Sequence, residues 1–152
     1  MSLKQKQVAL LVEDIYEDLE FWYPYYRLQE ARCEVTVLGT GKTSYESKHG
    51  YEAEVDMAVD DAEVSDFDGV VIPGGYAPDK MRRHEPMVDF VGKIHESGGV
   101  VAAICHAGWM LASADILDGV RATSFYAIRD DMENAGCQWV DLSRERFERA
   151  WR

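Results

Sequence analysis

Apolar and polar positions alternate along this chain in two periods, and the switches between them mark the elements. Val8 to Val12 is a short apolar run that reads as a strand. A helix is expected from about Glu17 to Ala31, with Leu19, Tyr23, Tyr26 and Leu28 as candidates for its buried side. Glu34 to Leu38 alternates as a second strand, broken by Gly39 and Gly41. From Ser44 to Val59 a turn at Gly50 separates two alternating stretches, which predicts a small hairpin beside the main sheet. Gly69 to Ile72 is another apolar strand, ended by Pro73-Gly74-Gly75. Pro78 and Asp79 open a short helical turn, and Pro86 suits the start of a helix reaching about Ser97, with Met87, Val88, Val91 and Ile94 inward.

Val100 to Ile104 is too short for a helix and β-branched enough for a buried, central strand. Ala107, Met110, Leu111, Ala114 and Ile116 then recur at helical spacing. Beyond them the pattern predicts a strand at Arg121–Ser124, a helix at Ala127–Asn134 closed by Gly136, and a last strand at Gln138–Val140. Strands and helices alternating at this length imply one doubly wound, mostly parallel sheet with helices on both faces. The chain contains no internal repeat, linker or low-complexity run, so all 152 residues read as one domain.

Within that frame Cys105 sits at a strand-to-helix junction, the layout of a nucleophile elbow. Ala103 and Ala107, two residues to either side, relieve the crowding of such a turn. A thiol facing helix N-terminal N–H groups is expected to have a lowered pKa. His106 follows as a base or proton shuttle. Paired glycines just past a strand present N–H groups to a ligand, so Gly74 and Gly75 are candidates for an oxyanion site near Cys105. Pro24 lacks an N–H for the carbonyl of Glu20 and marks that acid, at the carboxyl side of the first strand, where open α/β sheets bind ligands. Cys33 and His49 read as structural.

The charge is −12, from 28 acidic and 16 basic residues, which disfavours a nucleic acid or an anionic membrane as partner. No apolar run approaches the ~18 residues of a transmembrane helix, and no signal peptide opens the chain. Three cysteines, an odd number without metal-type spacing, fit a reduced cytoplasmic protein with no disulfide framework and no metal.

Several spaced motifs together resemble the ThiJ/PfpI superfamily, and its PfpI branch above all. They are Tyr16-Glu17-Asp18-Leu19-Glu20 with Tyr23-Pro24, Gly50-Tyr51, Ile72-Pro73-Gly74-Gly75-Tyr76-Ala77-Pro78-Asp79, Ala103-Ile104-Cys105-His106, and Ile128-Arg129-Asp130-Asp131-Met132-Glu133-Asn134-Ala135-Gly136. The resemblance implies a flavodoxin-like three-layer sandwich acting as a homodimer or higher oligomer, without a cofactor. It implies that Cys105 is the nucleophile of a hydrolase of the intracellular protease or deglycase type, and that Glu20 contacts its sulfur. It implies Gly74 and Gly75 at the oxyanion site, Glu17 as a further pocket carboxylate, and Asp79 as the acid that reaches His106 of a neighbouring subunit. A protonated Glu20 donating to the thiolate would make the two a coupled pair.

Substrates compatible with a Cys105 thiolate are glycation adducts, small 2-oxoaldehydes and peptide bonds, and the sequence does not choose among them. The alternative is a redox-sensing stress protein or chaperone in which Cys105 is oxidised. The chain departs from the family pattern at Ala107-Gly108-Trp109, usually Gly-Pro at the first two positions, and at Phe125-Tyr126, usually Tyr-Pro. After about Asp141 a charged, helix-like tail stands where the family continues with a strand and a closing helix.

Overall fold

The computed structural model describes residues 3–141. β1 (Gln7–Leu11) is followed by α1 (Asp18–Glu30) and β2 (Glu34–Gly39). A three-residue antiparallel hairpin, β3 (Ser44–Glu46) and β4 (Glu52–Glu54), stands apart from the main sheet as expected. Its outgoing arm does not continue to Val59 as hairpin: Met57–Ala58 (β5) pairs in parallel with the end of β2. Next come β6 (Gly69–Ile72), α2 (Ala77–Met81), α3 (Glu85–Glu96) and β7 (Val100–Ala103). α4 (Gly108–Ser113), β8 (Arg121–Ala122), α5 (Arg129–Asn134) and β9 (Gln138–Trp139) complete the described chain. The charged tail beyond Asp141 lies outside the described residues.

The central sheet has the order β5-β2-β1-β6-β7, and every pairing in it is parallel. From β1 the chain moves outward to β2, and from β6 it moves outward in the other direction to β7. Right-handed crossovers in opposite directions put α1 and α3 on opposite faces, which makes the three layers. The expected flavodoxin-like sandwich is therefore the fold. β8 and β9 do not join the sheet; they form a separate parallel pair over a small cluster of Leu117, Ile128, Met132 and Cys137.

Two expectations about packing are corrected. In α1 the side chains of Leu19, Tyr23 and Tyr26 are 76%, 68% and 61% exposed, and Leu28 is half-buried. The residue driven into the core is Phe21, ringed by Tyr16, Trp22 and Tyr25 at centroid distances of 4.9, 5.0 and 6.1 Å. Apolar residues run all round this helix, so periodicity alone selects no inward face.

The second correction concerns β7, which is an edge strand. Val37, Leu10, Val71 and Ala102 are in register across four strands and therefore share a face. Val37 lines a cavity with Phe21, Trp22 and Tyr25, which identifies this as the α1 face. Along that row burial falls from Val37 and Leu10 through the half-buried Val71 to the exposed Ala102. At the two ends of the β7 stretch, Val100 is 68% and Ile104 49% exposed. A β-branched run reads alike whether its outer flank is covered or bare, and here, among the described residues, it is bare.

Candidate active site

The loops after β1, β6 and β7 meet at the carboxyl edge of the sheet, where doubly wound folds bind ligands. Ile104 is extended (φ −132°, ψ 151°), and Cys105 then takes φ +59°, a backbone conformation that L-residues rarely adopt. That reversal is the expected elbow. The Cys105 carbonyl accepts the Phe125 N–H at 3.0 Å, which fixes the turn from its far side.

Gly74 is required by space. A Cβ there would fall 2.6 Å from Cys105 Cβ and 2.6 Å from Glu20 Oε2. The Gly74 N–H donates to that same Glu20 oxygen at 2.9 Å, so this donor is given to the carboxyl group. Gly75 adopts φ +74° beneath the backbone of Ile15 to Glu17, where a Cβ would meet Glu17 N at 2.6 Å. Its N–H and that of His106 are directed at the Cys105 sulfur. Gly75 and His106, then, supply the N–H groups at the sulfur, while Gly74 holds Glu20 in place.

Burial pushes the Cys105 thiol up; the Gly75 and His106 N–H groups oppose this, and the Glu20 carboxylate adds to it. Burial also raises Glu20, against the Gly74 N–H and the hydrogen bond with Cys105. This direction for Cys105 reverses the lowered value expected of a helix N-terminus. Burial and the Glu20 charge outweigh the two N–H groups, and residues 105–107 form a 3-10 turn, with α4 beginning only at Gly108. What remains is two groups that each resist losing a proton beside the other, so they titrate as a pair.

His106 Nδ1 lies 3.3 Å from Cys105 Sγ, and the ring sits between Trp109 and Phe125 at 5.2 and 4.8 Å. Burial lowers its pKa, with a further contribution from the Lys48 charge, so the imidazole is neutral near pH 7. Asp79, at the start of α2, does not serve His106 within one copy of the chain: its carboxylate pairs with Arg83 one turn on. The Glu17 carboxylate is bonded by Lys48 Nζ at 2.7 Å.

Sequence reasoning missed Lys48. A lysine beside a turn glycine looks like any solvated surface lysine, and only the pairing of its loop with Tyr16 brings it here. His49 has the structural part expected of it, since its Nδ1 lies 2.6 Å from Asp18, which also accepts from Ser47 Oγ at 2.6 Å. Glu17, Asp18 and His49 bring ligand-type atoms within 4.8 Å of one another. They are engaged with Lys48, Ser47 and each other, which ties the loop carrying Lys48 to the start of α1.

A strained cysteine at an elbow, with a carboxyl group and backbone N–H groups around its sulfur at the edge of a parallel sheet, defines a class of α/β proteins with a cysteine nucleophile. The chain belongs to the DJ-1/PfpI family, whose pattern matches residues 6–149. It is 43% identical over 135 residues to a deglycase of Pyrococcus abyssi and 41% identical over 135 residues to the deglycase PfpI of Pyrococcus furiosus. Each match covers 89% of this chain and 81% of the relative. Among solved structures it resembles a two-domain protein of Anabaena variabilis with DJ-1/ThiJ/PfpI-like and ferritin-like domains. The identity is 45% and the TM-score 0.88, over 90% of this chain and 40% of the other. Among the described residues no helix is long and apolar enough to cross a membrane.

Proposed function

We propose that the protein is a cysteine-dependent hydrolase acting on reactive-carbonyl adducts of the glycation type or on small 2-oxoaldehydes, with peptide bonds as the second substrate class. The observation that carries this reading is the Cys105 sulfur, presented by a positive-φ elbow and flanked by the Gly75 and His106 N–H groups and by Glu20. In the productive form Glu20 holds the pair's single proton and Cys105 is the thiolate. The sulfur forms a bond to the carbonyl carbon, the C=O π pair moves to oxygen, and the proton on Glu20 quenches it. That addition step is common to all three substrates. Neutral His106 is suited to take the proton of the water that completes hydrolysis. The names of the archaeal relatives favour glycation adducts over long peptides.

We also propose that the working unit is a homo-oligomer in the reducing cytoplasm, with Asp79 of a second copy orienting His106. Its support is that Asp79 faces Arg83 within one copy, and that no described carboxylate is hydrogen-bonded to His106. The three cysteines are free, as a reducing compartment requires.

Turnover of methylglyoxal-modified amines and of a fluorogenic peptide, measured on one preparation, tests the reading. Cys105→Ala should abolish the former; full turnover by that variant would overturn the assignment. Mixed oligomers of Cys105→Ala and Asp79→Ala chains should regain activity that neither has alone, and their remaining inactive would remove the shared site.

A further inference from the structure

Lys48 reaches the site through a stack of three backbone segments. Ser47 pairs with Tyr16, and Tyr16 pairs in turn with Gly75. The Lys48 N–H donates to the Tyr16 carbonyl at 3.0 Å, and the Glu17 N–H donates to the Gly74 carbonyl at 3.3 Å. Gly74 itself lies against Cys105. Lys48, Glu17 and the Gly74-Gly75 loop therefore stand side by side, in that order, toward the sulfur. The loop carrying the lysine is pinned as well: Ser47 Oγ accepts the N–H groups of His49 and Tyr51 at 3.2 and 3.0 Å while donating to Asp18. A long cationic side chain thus rises from a fixed base, and its Nζ is held 2.7 Å from Glu17 Oε2.

We infer that Lys48 is a positioning residue of the Cys105 site, its ammonium moored on Glu17 as the counter-charge that lets the Cys105–Glu20 pair carry one negative charge beside an uncharged His106. The inference rests on Cys105 being the nucleophile. The start of α1 contributes Glu20 and its N-cap Glu17, the loop after β6 contributes Tyr76, and the elbow contributes Cys105 and His106. Asp18, next to it, is engaged with Ser47 and His49. Among these groups Lys48 is the cation. A positive charge favours a thiolate over a thiol and a carboxylate over a carboxylic acid, and it opposes protonation of an imidazole. Lys48 has these signs on Glu20 and His106, where on Glu20 it offsets the opposing charge of Glu17, and its own ammonium is stabilised first by Glu17 and to a lesser degree by Cys105.

The test reads the pH midpoint of Cys105 alkylation by iodoacetamide, by mass spectrometry at low salt, with Cys33 and Cys137 as internal references. Removing the charge in Lys48→Met should raise the midpoint by about one pH unit. Lys48→Arg should keep it near the wild-type value, and Glu17→Gln should lower it or leave it unchanged. High salt should shrink the Lys48→Met shift, because the lysine is partly exposed to solvent. A packing role would give neither the rise in Lys48→Met nor its shrinkage at high salt. An unmoved midpoint in Lys48→Met, or an equal rise in Lys48→Arg, would overturn the inference and leave the nucleophile untouched. A wild-type Cys105 no more reactive than Cys33 and Cys137 would overturn the nucleophile reading instead, and this inference with it.

Discussion

At position 105 a side chain is carried on a backbone that glycine adopts freely and other residues adopt at a cost of about 1–2 kcal/mol. Alanine keeps that strain and loses the sulfur; glycine loses both. Cys105→Gly should therefore be more stable than Cys105→Ala by about 1 kcal/mol in chemical denaturation, although glycine is elsewhere the less stable of the two. A Gly variant less stable than the Ala variant would mean that the elbow holds no strain. Glu20 gives a second residue-level prediction, with a sign that follows from its raised pKa. Between the ordinary value near 4.5 and the higher folded value, the native state binds more protons than the unfolded chain, so Glu20 makes the fold less stable as pH rises through that window. Glu20→Gln keeps an acceptor for the Gly74 N–H and carries no charge. Its melting temperature relative to wild type should be unchanged at pH 4 and higher at pH 8. A difference that stays constant across that range would count against a carboxyl group held above its usual titration range.

Among the elements, α1 separates two kinds of aromatic residue that look equivalent in the sequence. Phe21→Ala removes the centre of an aromatic cluster and should cost about 3–5 kcal/mol. Tyr23→Ser, on the exposed side, should change monomer stability by less than about 0.5 kcal/mol. Comparable losses in urea denaturation would mean that the helix is rotated from the orientation described. The same contrast explains what was legible beforehand. β1, β2, β6 and β7 could be read because each short apolar run stops abruptly, at Glu13-Asp14, Gly39, Pro73 and Cys105, and the crossover rule then orders their helices. Cys105, Glu20 and Gly74 could be read because each sits where a strand stops or where a proline disturbs a helix. The inward face of α1 was hidden by apolar residues on every side of it. The edge position of β7 and the reach of Lys48 depend on which segments lie next to each other, and local patterns carry no such information.

The whole molecule joins a high charge to a strand, β7, whose outer flank is bare among the described residues. At neutral pH its net charge of −12 makes two copies repel each other before the β7 flank of one can approach another. Near the isoelectric point of about 4.7 that repulsion disappears, while Val100 and Ile104 stay as exposed as before. β7 has no lysine or proline to block the addition of a further strand. Light scattering during slow acidification should therefore rise sharply close to pH 5. Val100→Lys should reduce it more than Leu3→Lys, which makes the same charge change at an exposed position away from the sheet edge. Equal protection by the two variants would point to charge alone. Otherwise, it is the Val100 flank that sets the acidity at which solutions of this protein cloud, and the shelf life of a concentrated stock depends on keeping its buffer well above that point.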